Sequence, residues 1–123
     1  MRSNFDEMGE ALFLTSAFAY ETAEEAEARF DGRAEGFTYS RQTNPTVSMF
    51  EERMALIEGA DIGRATATGM AAMTAALLCQ LKAGDHVLAA RALFGSCRWL
   101  MDELLPRYGI ETTVIDGTNI SAW

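Results

Sequence analysis

The sequence has little of what builds metal sites and disulfide frameworks. It holds two cysteines and one histidine in 123 residues, with no ligand spacing among them. That argues against a zinc centre or a cystine scaffold. Cys79 and Cys97 fall in apolar helical stretches and read as buried, inert thiols, while His86 opens an apparent strand in a structural role. Lysine is scarcer still, with Lys82 alone beside nine arginines. Acidic residues outnumber basic ones 18 to 10, for a net charge of -8. No basic stripe is left to neutralise phosphates, which excludes nucleic acid as the expected partner. No apolar run approaches a membrane span, and the opening "MRSNFDEMGE" lacks the apolar stretch of a signal peptide. The expected compartment is therefore the cytoplasm, with no membrane partner.

What is present is a hydrophobic content of 49% in a domain-sized chain, enough to bury a core. "ALFLTSAFAY" has no clear period and reads as an extended, packed arm. "TAEEAEARF" carries a capping box, Thr22 with Glu25 three residues on, and puts Ala23, Ala26 and Phe30 on one face of a short helix. "DGRAEGFTYSRQTNP" is a loop by composition. An extended backbone there would point Tyr39 and Arg41, two apart, to the same side. Asn44 and Pro45 start a helix, Gly59 ends it, and Val47, Phe50, Met54 and Ile57 form its apolar stripe.

From there the pattern alternates. "RATAT" reads as a short strand, and "GMAAMTAALLCQLKAG" as a helix apolar nearly all round, hence buried, with Lys82 in its last turn. "HVLAA" is a continuous apolar strand of the kind parallel sheets use. "SCRWLMDELLPRYG" gives another helix, stopped near Pro106 and Gly109, "IETTVID" a third strand, and "GTNISAW" a loop entering a further helix. Strand, helix, strand, helix, strand is a parallel α/β layout. A three-stranded sheet with an open edge is an odd place to finish, so the chain reads as cut.

One joint bears on function. A strand that enters a helix through Thr68, Gly69 and Met70 presents free backbone N–H groups at the positive end of the helix dipole, a ready anion site. Phe94 follows the next strand, and ligands in parallel sheets bind outside the carboxyl ends of the strands. An anion on the Gly69 and Met70 amides beside an aromatic face suits a flat heteroaromatic phosphate ester.

"YSRQTNPT", "ATATGMAAM" and "GDHVLAARALFGS", in this order and spacing, closely resemble the Cys/Met-metabolism family of pyridoxal-phosphate enzymes, and the resemblance covers essentially the whole chain. It implies an N-terminal arm and loop (residues 1–44) that serves the neighbouring subunit. Residues 45–123 then begin the parallel-sheet large domain of a fold type I, aminotransferase-like α/β enzyme, truncated. The implied cofactor is pyridoxal 5′-phosphate. Gly69 and Met70 would hold its phosphate, with Thr68 where relatives usually have Ser. Tyr39 and Arg41 would reach the same group in the partner's site, which implies a homodimer or homotetramer. Phe94 stands where many relatives stack a Tyr on the ring, so stacking is kept and the hydroxyl lost.

The family's Schiff-base lysine lies far beyond residue 123 by this resemblance, and Lys82 matches no family lysine motif. The implied activity is that of a homoserine-ester sulfhydrylase acting on a small-molecule substrate, O-succinyl- or O-acetylhomoserine, and inactive without its remainder. Cystathionine γ-synthase and methionine γ-lyase are the alternatives within the family. A freestanding phosphate-binding module would need a G-x-G-x-x-G or Walker A loop, and the chain has neither. A ligand-free oligomerisation fragment is the third reading.

Overall fold

The computed structural model describes residues 7–123, so part of the opening decapeptide, on which the signal-peptide reading rests, lies outside the described residues. The chain forms two compact units, Met1–Ala65 and Thr66–Trp123.

In the first unit an irregular arm is tied to a loop and two helices. Thr22 caps α1 (Ala23–Phe30), its hydroxyl accepting the Glu25 N–H. The Glu25 carboxylate reaches back one residue further than a standard capping box, to the Glu21 N–H at 2.9 Å. Phe30 stays largely exposed but packs its ring 6.2 Å from that of Tyr20. Helix α2 (Pro45–Glu58) starts at Asn44, whose side chain accepts from the Thr46 N–H, and ends at Gly59 with φ 65°. Glycine adopts that left-handed value without a Cβ penalty.

The stripe Val47, Phe50, Met54 and Ile57 does not reach a core among the described residues. All four are exposed, and the helix buries Pro45 and Ala55 instead. The 3.6-residue period places these side chains on a common side, but burial needs a facing element that the described residues do not supply.

The second unit holds α3 (Gly69–Leu78), β1 (His86–Ala90), α4 (Gly95–Trp99), a π-helical turn (Leu100–Leu104), α5 (Leu105–Arg107) and β2 (Glu111–Ile115), then a 3-10 turn (Ile120–Ala122). β1 and β2 pair in parallel, from His86 opposite Glu111 to Ala90 opposite Ile115. The core is Ala89, Leu100, Met101, Leu105 and Ile110, with Leu77, Leu78, Leu81, Val87 and Val114 packed against it. His86 donates or accepts across the pair, its Nε2 lying 2.8 Å from the Thr113 hydroxyl, in keeping with a structural role.

The helix between the strands becomes irregular just before Pro106. Pro106 has no N–H for the α-helical ladder. The ladder widens just before it, Leu105 N–H bonding the Leu100 carbonyl five residues back. The Met101 carbonyl is then taken by the Thr112 hydroxyl at 2.9 Å, which ties the helix to β2.

The structure departs from the sequence expectation at residues 64–68, in α3 and at Lys82. Residues 64–68 are not a strand, and the sheet among the described residues has two strands rather than three. The Ala65 N–H donates to the Glu51 carboxylate at 2.7 Å, and the Thr66 hydroxyl donates to the Thr68 carbonyl, so local side chains replace a ladder. Helix α3 is apolar yet buries no residue completely, and Cys79 at its C-cap is exposed while Cys97 is half-buried. The helix also stops at Leu78, so Lys82 lies beyond it. The Asp85 carboxylate captures the Lys82 N–H at 2.8 Å, and a turn at Gly84 (φ 92°) leads into β1.

Candidate functional site

The N-terminus of α3 is the best-defined candidate. Its first four N–H groups belong to Gly69, Met70, Ala71 and Ala72. Thr68 satisfies the last two, its hydroxyl accepting from Ala71 at 3.1 Å and its carbonyl from Ala72 at 3.1 Å. The Gly69 and Met70 amides have no acceptor among the described residues. These are the two amides that the sequence motif assigns to an anion. Because the Thr68 oxygen accepts from Ala71, its own O–H remains a donor that can join them. A Cβ placed on Gly69 would meet nothing within 4 Å, so no side chain crowds that residue.

Such an arrangement suits a phosphate: three donors on one helix end, with the dipole favouring negative charge. The residues present therefore fit the phosphate of pyridoxal phosphate. Gly69, Met70 and Thr68 are the ones that would hold it.

Phe94 lies after β1, at the entry to α4, with extended φ and ψ (-57° and 140°) and 79% of its surface exposed. The first turns of α3 and α4 face one groove of about 830 Å³, lined by Met70, Ala71 and Thr74 on one side and Gly95, Ser96 and Trp99 on the other. Met70 at the first joint and Gly95, the residue after Phe94, border this apolar cleft, while Phe94 itself does not line it.

Tyr39 and Arg41 belong to the other unit. The extended backbone expected for them is replaced by a turn, in which the Tyr39 carbonyl accepts from Gln42 and Thr43 at 2.9 and 3.1 Å. The two side chains still meet, the Arg41 guanidinium carbon standing 5.5 Å from the Tyr39 ring centre. The turn is held from several sides. Tyr39 bridges Ala17 in antiparallel fashion, and Ser40 donates its N–H to the Ser16 carbonyl and its hydroxyl to Thr15. Asn44, 6% exposed, donates to the Phe13 carbonyl and to Ser40 Oγ. Sequence reasoning missed this anchoring role of Asn44 because it assigned the residue to the helix cap alone. The buried side chain does both tasks.

Asp116, at the end of β2, was also not singled out. Its carboxylate accepts from the Thr118 N–H at 3.0 Å and hydroxyl at 2.8 Å. Those bonds, with a smaller contribution from Arg91, hold its pKa below the ordinary aspartate range. "DGT" is the signal, an aspartate two residues before a threonine at a turn.

The sequence profile of the Cys/Met metabolism PLP-dependent enzymes matches residues 1–123. The chain belongs to that family. Among curated relatives, this family member is 50% identical over all of its length to an O-succinylhomoserine sulfhydrylase of Mycobacterium tuberculosis, and covers 30% of that protein. It is 47% identical over 95% of its length to an O-succinylhomoserine sulfhydrylase of Pseudomonas aeruginosa, covering 29% of it. An L-methionine gamma-lyase of Porphyromonas gingivalis is 35% identical over 85% of the chain, which covers 26% of that enzyme.

Of solved structures, an O-acetylhomoserine (thiol)-lyase of Campylobacter jejuni superposes with a TM-score of 0.87 at 29% identity, over 97% of this chain and 29% of that one. It carries an N′-pyridoxyl-lysine-5′-monophosphate residue. The chain thus spans about 30% of the length of the curated relatives it matches. Its fold is that of the corresponding part of the family's PLP-dependent lyases, a mixed α/β unit with a parallel sheet.

Proposed function

We propose that this family member forms part of a sulfhydrylase that makes homocysteine from an activated homoserine ester, O-succinylhomoserine first and O-acetylhomoserine second, and sulfide, in methionine biosynthesis. The observation that carries the choice is identity. It is 50% and 47% to two O-succinylhomoserine sulfhydrylases, against 35% to a methionine γ-lyase. When bound, pyridoxal phosphate supplies an electron sink for changes at the substrate's carbon chain. The chain's own contribution is binding. Gly69 and Met70 N–H groups and the Thr68 hydroxyl take the phosphate, and Phe94 offers its face to the ring. Tyr39 and Arg41 donate to the phosphate in the site of a second copy, within a cytoplasmic homo-oligomer.

A chimaera tests the reading. The matching segment of the Mycobacterium tuberculosis enzyme is replaced by this chain, and homocysteine formation from O-succinylhomoserine and sulfide is compared with methanethiol release from methionine. The expected outcome is sulfhydrylation as the dominant activity. A soluble chimaera that binds pyridoxal phosphate and favours methionine cleavage would overturn the choice.

A further inference from the structure

A second feature lies at the carboxyl end of the parallel pair, where ligands of such sheets gather. Arg91 follows β1 directly. Its backbone is fixed, the N–H donating to the Ile115 carbonyl at 2.7 Å and the carbonyl accepting from Leu93 at 2.9 Å. With Ala92, Asp116, Gly117 and Thr118 it lines a hollow of about 410 Å³. The floor is tight: a Cβ on Gly117 would come within 2.9 Å of the Ala90 Cβ, so the loop after β2 lies directly on the end of β1.

The unit's other two arginines are engaged. Arg98 pairs with Asp102 at 2.7 Å and Arg107 with Glu103 at 3.5 Å. Arg91 has no carboxylate within 4 Å among the described residues. Asp116, the nearest candidate, spends one carboxylate oxygen on both donors of Thr118. Arg91 interacts with Asp116 only as a smaller electrostatic contribution and forms no ion pair with it, so its guanidinium keeps donors for a planar anion.

We propose that Arg91 recognises a carboxylate, and that the hollow it lines takes the acid-bearing acyl tail of a dicarboxylic half-ester. This rests on the sulfhydrylase reading, because it explains how a succinyl ester would be told from an acetyl ester. A site that bonds a substrate carboxylate rejects the analogue lacking it far more strongly than an apolar pocket could. Asp116 bounds the same hollow, so its charge opposes the incoming anion and sets a second expectation.

The test is an amide-shift titration of the ¹⁵N-labelled chain with monomethyl succinate and, separately, methyl acetate. Saturable shifts at Arg91, Ala92, Gly117 and Thr118 are expected with monomethyl succinate alone. Arg91→Gln should weaken this at least tenfold, Arg91→Lys should restore part of it, and Asp116→Asn should tighten it. Equal responses to the two esters, no saturable shift at these four amides, or an unchanged response in Arg91→Gln would overturn the proposal. A Thr118 amide that moves in Arg91→Gln without ligand, in a chain deaf to monomethyl succinate, would make Arg91 a structural partner of Asp116 and refute it too. A parallel titration with pyridoxal phosphate, read at Gly69 and Met70, reports the cofactor reading separately.

Discussion

Asn44→Ala should loosen the turn that carries Tyr39 and Arg41. Asn44 makes three bonds while almost wholly buried: Oδ1 accepts from Thr46 at 2.9 Å, and Nδ2 donates to the Phe13 carbonyl at 2.9 Å and to Ser40 Oγ at 2.8 Å. Losing a helix N-cap costs about 0.5–2 kcal/mol. Leaving the half-buried Phe13 carbonyl without its donor adds about 1 kcal/mol, at the low end of the range because water can partly replace it. The sum is about 1.5–3 kcal/mol, or roughly a ten- to 150-fold change in a local opening equilibrium. Amide exchange of Thr46 and Phe13 measures it directly, since the Phe13 N–H bonds the Thr46 hydroxyl at 2.9 Å. Asn44→Ser, which keeps only the cap, should recover about half of the lost protection. If both amides exchange in Asn44→Ala within twofold of the parent chain, Asn44 is not the anchor of this turn and the reasoning fails.

Thr112→Val removes the donor that satisfies the Met101 carbonyl at the π turn, and urea unfolding should report a loss of about 1–3 kcal/mol; an unchanged midpoint would mean water serves equally well. Gly63→Ala drives a Cβ to within 2.6 Å of the Glu51 carbonyl oxygen, so about 1–3 kcal/mol of stability should go, with faster exchange of the Ala65 amide as its local sign. Asp116 has a folded pKa held below its ordinary value, so its contribution is present above the unfolded-state pKa and disappears as pH falls through the folded one. The Thr118 amide shift should therefore titrate with a midpoint below the usual aspartate range, and Asp116→Asn should abolish that titration. A midpoint at or above the usual range would contradict the turn's geometry.

Features set by neighbours in sequence were legible. Thr22, Asn44 and the left-handed Gly59 are caps whose chemistry acts within four residues, and each stands where the sequence reading put it. The same locality explains why the Gly69 and Met70 amides stay free, since the Thr68 hydroxyl and carbonyl take the Ala71 and Ala72 N–H groups. What failed depends on partners elsewhere. Whether residues 64–68 pair, whether α3 is covered and whether Cys79 is buried are decided by other strands and helices. No local pattern encodes whether those are present. Two smaller misses have local causes that were overlooked. The Asp85 carboxylate competes for the Lys82 N–H and keeps Lys82 out of the helix, and Pro106 opens a π turn rather than simply ending a helix.

The exposed helices connect these findings to the proposed function. Thr74 is the one polar residue in α3, yet the helix has no fully buried side chain, and the α2 stripe is equally open. Isolated apolar residues on a surface mean little, but two helices apolar beyond their buried share mark surfaces meant for protein. In the proposed enzyme, whose relatives are about three times as long as this chain, further polypeptide would be there to enclose such surfaces. That enclosure matters for the chemistry. The Gly69 and Met70 amides gain most of their strength toward a phosphate when water is excluded around them, because charge–dipole attraction rises as the local dielectric falls. The affinity of this chain for pyridoxal phosphate should therefore be well below that of the chimaera, with the same two amides responding in both. Equal affinities would mean that the donors alone, without enclosure, account for the binding.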